Sequence, residues 1–215
     1  MTLRIRILIA DDHAVVAEGL RSLINAQHDM EVVGLAANGR EAVRETLEKN
    51  PDVVVMDNAM PELNGIEAAR IISDNCAQVR IVMLSMHSTS VHVHRALQAG
   101  VGGYVMKQSV GRELIDAIRT VHSRRRYLSK PLAEDILDRL VSGAPADPIS
   151  RLSARERQVL QLIGEGNPIA DIADKLALSP KTVETYRQRL MEKLGVKKLA
   201  GLIKLAIQHD VASHD

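Results

Sequence analysis

The sequence predicts an α/β unit with a five-stranded, doubly wound parallel sheet, followed by a small all-α unit of four helices. Over residues 1–123, apolar runs rich in Val and Ile alternate five times with helical patterns. This alternation is typical of βαβ units, whose helices cover both faces of a parallel sheet. From residue 150 onward, the apolar residues are spaced only as in helices. A chain of 215 residues is long enough to bury two such cores.

Four of the predicted strands end in polar side chains. The strands over residues 5–10, 53–56, 81–84 and 103–106 are followed by Asp11 and Asp12, Asp57, Ser85 and Lys107, respectively. The carboxyl ends of parallel strands meet at one edge of the sheet, where such folds bind their ligands. Neighbouring carboxylates are tolerated when a cation lies among them, and hard oxygen ligands suit Mg²⁺. Asp57 alone would be interpreted as a turn cap, but the convergence of these side chains favours a Mg²⁺ site.

Helices are predicted between the strands from stripes of apolar residues. The stripes in the first, second and last helices of this unit are Val16, Leu20, Leu23 and Ile24; Ala42, Val43, Thr46 and Leu47; and Leu114, Ile115, Ile118 and Val121. Two further helices are expected at about residues 66–73 and 90–99, and a short strand at residues 32–34.

Residues 124–149 are predicted to be a linker. Three consecutive arginines at residues 124–126 and a Pro- and Gly-containing stretch at residues 142–148 flank one short amphipathic segment, residues 132–141. For the arginine run, a solvated linker is favoured over a DNA contact.

Four helices are predicted after the linker. Ser153 and Glu156 form a capping box for the first, Pro168 suits the first turn of the second, and Ser179-Pro180 cap and open the third. A fourth helix is expected at about residues 199–209. Because a tight turn joins the second and third helices, this pair is a helix-turn-helix candidate.

Composition narrows the class of protein. The chain is 46% hydrophobic and 26% charged and has no Phe or Trp, which is typical of a soluble globular protein without aromatic platforms for single-stranded bases. Cys76 is the single cysteine, which excludes an internal disulfide and suits a reducing cytoplasm. No apolar stretch approaches the roughly 20 residues of a membrane span. Lys and Arg number 12 against 15 Asp and Glu over residues 1–123, but 11 against 8 over residues 150–215, so nucleic acid is expected to bind the second unit.

The motifs of both units resemble those of a known family. Residues 1–123 resemble a response-regulator receiver domain, which has a flavodoxin-like fold, through Asp11-Asp12, Asp57 followed by Met-Pro and Gly65, Ser85, and Lys107 with Tyr104 three residues before it. Residues 150–215 resemble a LuxR-type helix-turn-helix domain through the stretches that begin at Leu152 (LSARERQVL), Lys181 (KTVETYR) and Lys193 (KLGV). The chain is therefore identified as a member of the NarL/FixJ class of two-component regulators.

The resemblance implies a role for each matching residue of the receiver. Asp57 is expected to be the phosphoacceptor, and Asp12, Asp57 and the carbonyl oxygen of Ala59 are expected to bind Mg²⁺ directly, with Asp11 binding it through water. Lys107 would pair with the phosphoryl group and Ser85 would donate a hydrogen bond to it, which would let Tyr104 turn inward. The family commonly has Thr in place of Ser85, and a hydroxyl is retained.

In the second unit, the resemblance makes the third helix the recognition helix. Its spacing points Val183, Leu190 and Leu194 inward. The side chains expected to face the major groove are Glu184, Thr185 and Gln188, and those expected to contact phosphates are Lys181, Thr182, Arg187 and Arg189. Glu184 would accept a hydrogen bond from a cytosine amino group. The alternative is a solvated face on which Glu184 pairs with Gln188.

The resemblance implies a cytoplasmic transcription factor whose binding to the major groove of double-stranded DNA is switched by a sensor histidine kinase. It also implies a homodimer when phosphorylated, contact with RNA polymerase, and no enzymatic activity apart from self-phosphorylation and autodephosphorylation at Asp57. The last helix is a candidate for the dimer contact, although core packing explains its apolar stripe equally well.

Two alternatives remain open for the function. A phosphohydrolase with an aspartyl-phosphate intermediate would need a second acid two residues after the nucleophile, where Ala59 stands. The other alternative is a DNA-binding protein that is controlled by a small ligand or a partner protein at a vestigial receiver. The complete set of acids with Lys107 argues against this alternative.

Overall fold

The computed structural model describes residues 4–86, 90–130, 132–133, 148–209 and 211. The chain divides between Ala144 and Pro145 into two compact units. In the described part of the chain, every helix is too short or too polar to cross a lipid bilayer. Most of the predicted amphipathic segment at residues 132–141 lies outside the described residues. Within this segment, the structure describes Leu132 and Ala133, and both are helical.

The first unit is a parallel sheet with the strand order β2-β1-β3-β4-β5-β6. The strands are β1 (Ile5–Ala10), β2 (Met30–Ala36), β3 (Val53–Asp57), β4 (Arg80–Ser85), β5 (Gly103–Met106) and β6 (Tyr127–Leu128). The helices between them are α1 (Ala14–Asn25), α2 (Gly39–Lys49), α3 (Gly65–Asn75), α4 (Ser90–Gln98) and α5 (Val110–His122). A single 3₁₀ turn, Lys107–Ser109, leads from β5 into α5. The predicted α/β fold is therefore confirmed.

The continuous apolar runs of the central strands reflect burial on both faces of the sheet. Along β3, Val54 and Met56 pack into one core cluster, whereas Val53 and Val55 pack into a second cluster on the other face. All four side chains are fully buried. A strand that contacts helices on both faces has no solvent side, so it shows no alternation of polar and apolar residues.

The sheet has a sixth strand that the sequence did not predict. Strand β6 lies within the predicted linker and pairs in parallel with β5, with Tyr127 opposite Gly103 and Leu128 opposite Tyr104. The next residue, Ser129, donates its backbone N–H to the carbonyl of Tyr104. A strand of two residues is too short to show a period, which explains why the prediction stopped at five strands.

Two of the predicted helix faces were wrong in part. Helix α1 buries Ala17, Leu20 and Ile24, whereas Val16 is 39% exposed. Helix α2 buries Ala42 and Thr46, whose hydroxyl donates to the carbonyl of Ala42, whereas Leu47 is 51% exposed. In α1 the unpredicted Ala17 is buried and Val16 is not, whereas in α2 the predicted Ala42 and Thr46 are buried and Leu47 is not. Strand β2 is also longer than predicted, because it pairs with the whole of β1.

The second unit contains a 3₁₀ turn (Pro148–Arg151) and helices α6 (Ala154–Gly164), α7 (Ile169–Leu176), α8 (Pro180–Lys193) and α9 (Leu199–Gln208). The predicted capping box between Ser153 and Glu156 at the start of α6 is confirmed. Pro168 is the N-cap residue of α7 and lies just before its first turn. Ala177 ends α7 with a left-handed backbone (φ 52°), which turns the chain sharply into α8. The all-α fold with a helix-turn-helix is therefore confirmed.

Candidate functional site: an acidic strand-end cluster and a basic helix

The ends of β1 and β3 bring the predicted acids together. Ala10 and Met56 are partners in the β1–β3 register, so Asp11 and Asp57 follow side by side at the carboxyl edge of the sheet. Donor atoms of Asp11, Asp12, His13 and Asp57 all lie within 4.8 Å of one another. The side chains of Asp11 and Asp57 are almost fully buried. The three acids that were predicted to converge at the strand ends therefore lie at one site.

Lys107 bridges two of the acids. Its Nζ lies 2.8 Å from Asp57 Oδ2 and 3.2 Å from Asp11 Oδ2. The lysine follows β5, which is separated from β3 only by β4. Burial on its own would lower the pKa of Lys107, but the nearby charge of Asp57 and then that of Asp11 outweigh it, so the pKa is raised. Lys107 therefore remains an ammonium group at neutral pH.

Asp57 has an unusual proton affinity. Burial raises the pKa of its carboxyl from 3.8 to about 6, because a desolvated carboxylate is unfavourable. Lys107 opposes this rise, whereas the charges of Asp11 and Asp12 add to it. At neutral pH the group is still mainly a carboxylate, and a divalent cation would compete directly with its proton.

The donor set fits a divalent metal ion. Three carboxylates and one ammonium give the cluster a net negative charge, and the oxygens are hard ligands of the kind that Mg²⁺ prefers. The backbone of Ala59 lies two residues beyond the end of β3, in the turn next to the cluster. The role of its carbonyl oxygen as a metal ligand stays a prediction.

His13 belongs to the cluster, although the sequence analysis did not predict it. Its backbone N–H donates to Asp11 Oδ1 over 2.9 Å, and its Nδ1 lies 2.9 Å from Asp12 Oδ1. These contacts hold the two acids in place at the start of α1. The one signal in the sequence was its position directly after the acid pair, which by itself does not fix the direction of a side chain.

The turn after Asp57 approaches the strand end closely. A Cβ atom at Gly65 would lie only 2.1 Å from the carbonyl oxygen of Asp57, so this position accepts no side chain without a shift of the backbone. The N–H of Gly65 donates to the carbonyl of Asn58. Gly65 therefore lets α3 begin directly beside the acidic cluster.

Ser85 lies on β4, the strand next to Asp57, and Tyr104 lies on β5, one strand further along the sheet. Ser85 ends β4 and is 1% exposed, and in the β4–β5 register it is opposite Met106, the residue before Lys107. Tyr104 is fully buried, and its hydroxyl is inside the protein. The role of Tyr104 as a switch residue stays a prediction.

The exposed side of α8 is the candidate nucleic-acid surface. Val183 and Leu190 are fully buried, as their spacing predicted, and Leu194 packs partly against the same core. The residues expected to contact DNA are exposed or half-buried on the remaining surface: Lys181, Thr182, Glu184, Thr185, Arg187, Gln188 and Arg189. A pocket of about 300 Å³ opens on one flank of the helix, lined by Ser179, Lys181, Thr182, Thr185, Tyr186 and Arg189.

Two ion pairs organise α8. Lys193, in its last turn, lies 2.8 Å from Glu156, which connects the end of α8 to the capping box of α6. Burial raises the pKa of Glu156, but hydrogen bonds from Lys193 and Ser153 outweigh burial and hold that pKa below its usual range. The second pair joins Arg187 to Glu184 at a distance of 2.5 Å. The partner of Glu184 is therefore Arg187 and not Gln188, which the sequence analysis had offered as the alternative.

Comparison with known proteins identifies the family. The family model described as "Response regulator receiver domain" matches residues 7–119, which is more than half of the chain. The chain belongs to the two-component response regulators. A second model, "Bacterial regulatory proteins, luxR family", matches residues 150–206 and thus the unit that contains the helix-turn-helix. The resemblance to the NarL/FixJ class is therefore confirmed.

Known proteins match all or part of this response regulator. The chain is 36% identical over 210 residues to the response regulator UvrY of Escherichia coli (strain K12), covering 97% of this chain and 96% of UvrY. A LuxR-family response regulator from Aurantimonas sp. SI85-9A1 is 40% identical, with a TM-score of 0.62 over 64% of this chain and 99% of that one. The RcsB protein of Salmonella enterica serovar Typhimurium, solved with promoter DNA, shares the fold at 24% identity, with a TM-score of 0.67 over 94% of this chain and 98% of RcsB.

Proposed function

We propose that this response regulator is a transcription factor whose DNA binding is switched by Mg²⁺-dependent phosphorylation of Asp57 by a sensor histidine kinase. The observation that carries the proposal is the contact of Lys107 with both Asp57 and Asp11 in a buried acidic cluster. In this proposal, residues 1–123 are the receiver domain, 124–149 the linker and 150–215 the LuxR-type DNA-binding domain. Strand β6 lies within the linker so defined and packs on the receiver sheet.

The chemistry follows from the residues of the cluster. A carboxylate oxygen of Asp57 forms a bond to phosphorus while the P–N bond of the phosphohistidine donor breaks, and the imidazole leaves. Lys107 stays close to the same carboxylate and balances the negative charge that arrives with the phosphoryl group. Asp11, Asp12, Asp57 and the carbonyl oxygen of Ala59 would hold Mg²⁺, which when bound neutralises and orients the transferring phosphoryl group.

The phosphoryl group would be sensed by β4, which is next to the strand of Asp57, and by β5 beyond it. It adds about −1.5 to −2 units of charge, which would draw Lys107 and the hydroxyl of Ser85 toward it. Tyr104 lies on β5, the strand that Lys107 follows, and belongs to the same buried apolar cluster as Met83 and Val101. A shift of β4 and β5 would therefore change the packing around Tyr104. In this proposal, that packing is the element with two alternative states.

The output is binding of α8 in the major groove of double-stranded DNA. Lys181, Thr182, Arg187 and Arg189 would contact phosphates, and Glu184, Thr185 and Gln188 would face bases. A homodimer that forms on phosphorylation would bind two half-sites, and contact with RNA polymerase would convert binding into transcriptional control. These partners are found in the cytoplasm, which is the proposed location.

One alternative function is a phosphohydrolase. The position two residues after Asp57, where such an enzyme would need a general acid, holds Ala59. This favours a regulator in which self-phosphorylation and autodephosphorylation of Asp57 are the only reactions.

Labelling with radioactive acetyl phosphate tests the phosphoacceptor. The wild-type protein should be labelled in the presence of Mg²⁺ and lose the label when the metal is chelated. Asp57→Asn should abolish labelling, because an amide cannot form the acyl phosphate. Asp74→Asn, which changes an exposed acid of α3, is the matched control and should be labelled normally. Labelling that persists in Asp57→Asn would refute the assignment.

A further inference from the structure

The two flanks of α8 differ in whether their basic side chains form ion pairs. Lys181 and Arg189 are exposed on the flank that carries the pocket, and neither has an ion-pair partner in the part of the chain that the structure describes. Arg187 projects from the other flank, where it is paired with Glu184. The position of all three basic residues on the recognition helix predicts the same role for them, as phosphate contacts. The structure therefore separates one cation from the other two.

The Glu184–Arg187 pair is well formed. Arg187 Nη2 lies 2.5 Å from Glu184 Oε1, and the two side chains are only 30% and 32% exposed. The pair spans three residues of one helix, a spacing at which opposite charges meet without distortion of the backbone. The Nε atom of Arg187 is also buried, so this side chain does not extend fully into solvent. Partial burial makes such a pair stronger than one in full contact with water.

This pairing has a direct consequence for DNA binding. If Arg187 turned to a phosphate, it would leave the carboxylate of Glu184 unpaired next to a negatively charged backbone. The electrostatic cost of that carboxylate opposes the gain from the new contact. Arg187 therefore adds little to DNA affinity as long as Glu184 is present.

We propose that Glu184 holds Arg187 away from the phosphate backbone and thereby limits the sequence-independent affinity of this protein for DNA. Of the three cations assigned to phosphates above, only Lys181 and Arg189 then make that contact, and Arg187 is withdrawn from it. The inference rests on the DNA-binding function proposed above and deepens it, because it assigns Glu184 a restraining role in place of direct base reading. Phosphate contacts supply essentially all non-specific affinity, so one restrained arginine changes how tightly the protein is held on non-target DNA.

Salt dependence of binding distinguishes restraint from base reading. Each added phosphate contact steepens the slope of log K against log salt by about 0.9. If Glu184 restrains Arg187, Glu184→Gln should steepen the slope by about that amount, which between 50 and 200 mM salt corresponds to a further change in affinity of about 3.5-fold. The double variant Glu184→Gln/Arg187→Gln should return to the wild-type slope. If Glu184 instead accepts a hydrogen bond from cytosine, Glu184→Gln should alter the preferred sequence and leave the slope unchanged.

The experiment uses the full chain and a duplex of about 30 base pairs with random sequence, titrated at several salt concentrations. Glu192→Gln is the matched control, since it removes an exposed acid from the same helix that has no cation partner among the described residues. The proposal predicts a steeper slope for Glu184→Gln only. A wild-type slope in Glu184→Gln, or a steeper slope that persists in the double variant, would overturn it. Failure of the wild-type protein to bind the duplex at 50 mM salt would instead contradict the proposed DNA-binding function, and the inference with it.

Discussion

The candidate functional sites of the two units place their acids in opposite environments. The side chain of Asp57 is 4% exposed at the edge of a buried sheet, whereas that of Glu184 is 32% exposed on a helix surface. Burial raises the pKa of Asp57 to about 6, and its proton, Lys107 and a metal ion all compete for the same oxygens. The charges of α8 remain close to water, where salt screens them. Proton and metal concentrations should therefore control ligand binding at the acidic cluster of the first unit. Salt concentration should control DNA binding by the second unit.

The largest expected effect tests the buried side of this comparison. The apparent affinity of the unphosphorylated protein for Mg²⁺ should fall about tenfold for each pH unit below 6, since protonation of Asp57 removes a ligand. Because the pKa of Asp57 is raised to about 6, the affinity should level off above about pH 7. Calorimetric titration with Mg²⁺ between pH 5 and 8 measures both the fall in affinity below pH 6 and the constant affinity above pH 7.

Asp57→Asn is the control for this titration. It should bind Mg²⁺ more weakly at pH 8 and lose the step near pH 6. A wild-type affinity that stays constant from pH 5 to 7 would mean that Asp57 is not the group that competes with the metal.

A smaller effect is expected at Glu156, the buried acid of the second unit. Glu156→Ala removes the capping box and the partner of Lys193, and should lower the free energy of unfolding of this unit by about 2 kcal/mol. The pKa of Glu156 is lowered, so its contribution is present above the usual glutamate pKa and lost as the pH falls below it. Chemical denaturation at pH 7 and pH 3.5 measures both the loss of stability in the variant and its dependence on pH. Glu192→Ala is the exposed control, and an equal loss of stability in that variant would contradict the role of burial.

The smallest expected effect concerns the segment after β6. Ser129 is fully buried, donates its hydroxyl to Glu113 and accepts a hydrogen bond from the N–H of Met106. Ser129→Ala should cost the first unit about 1 kcal/mol and speed hydrogen exchange at the amide of Met106. Ser123→Ala, which removes an exposed hydroxyl that bonds only within its own helix, should change neither. Unchanged exchange in Ser129→Ala would show that the segment does not stabilise β5.

The sequence predicted the acidic cluster because its location follows from topology. Once β1, β3 and β5 were assigned as parallel strands, Asp11, Asp57 and Lys107 had to meet at one edge. Tertiary details followed no such rule. The exposure of Val16 and Leu47 depends on how each helix rotates on the sheet, and the two residues of β6 are too few to form a pattern.

Side-chain direction was the second limit of sequence analysis. Glu184 has possible partners three and four residues along the helix, and only the structure selects Arg187. His13 is similarly placed by the entry of the chain into α1, where its backbone bonds to Asp11. Patterns in the sequence thus located the strand ends and the helix faces, whereas the partners of individual side chains depend on the three-dimensional fold.

In the proposed function, the phosphoryl group on Asp57 controls the DNA affinity of the second unit. The most direct test is the affinity for a duplex selected from a random pool, measured by fluorescence anisotropy with and without beryllofluoride and Mg²⁺. Coupling between two sites typically changes affinity by about 5- to 150-fold, so the wild-type protein should bind at least about fivefold more tightly with the phosphoryl mimic, and Asp57→Asn should not respond. Equal wild-type affinity in both conditions, or the same response in Asp57→Asn, would contradict the claim.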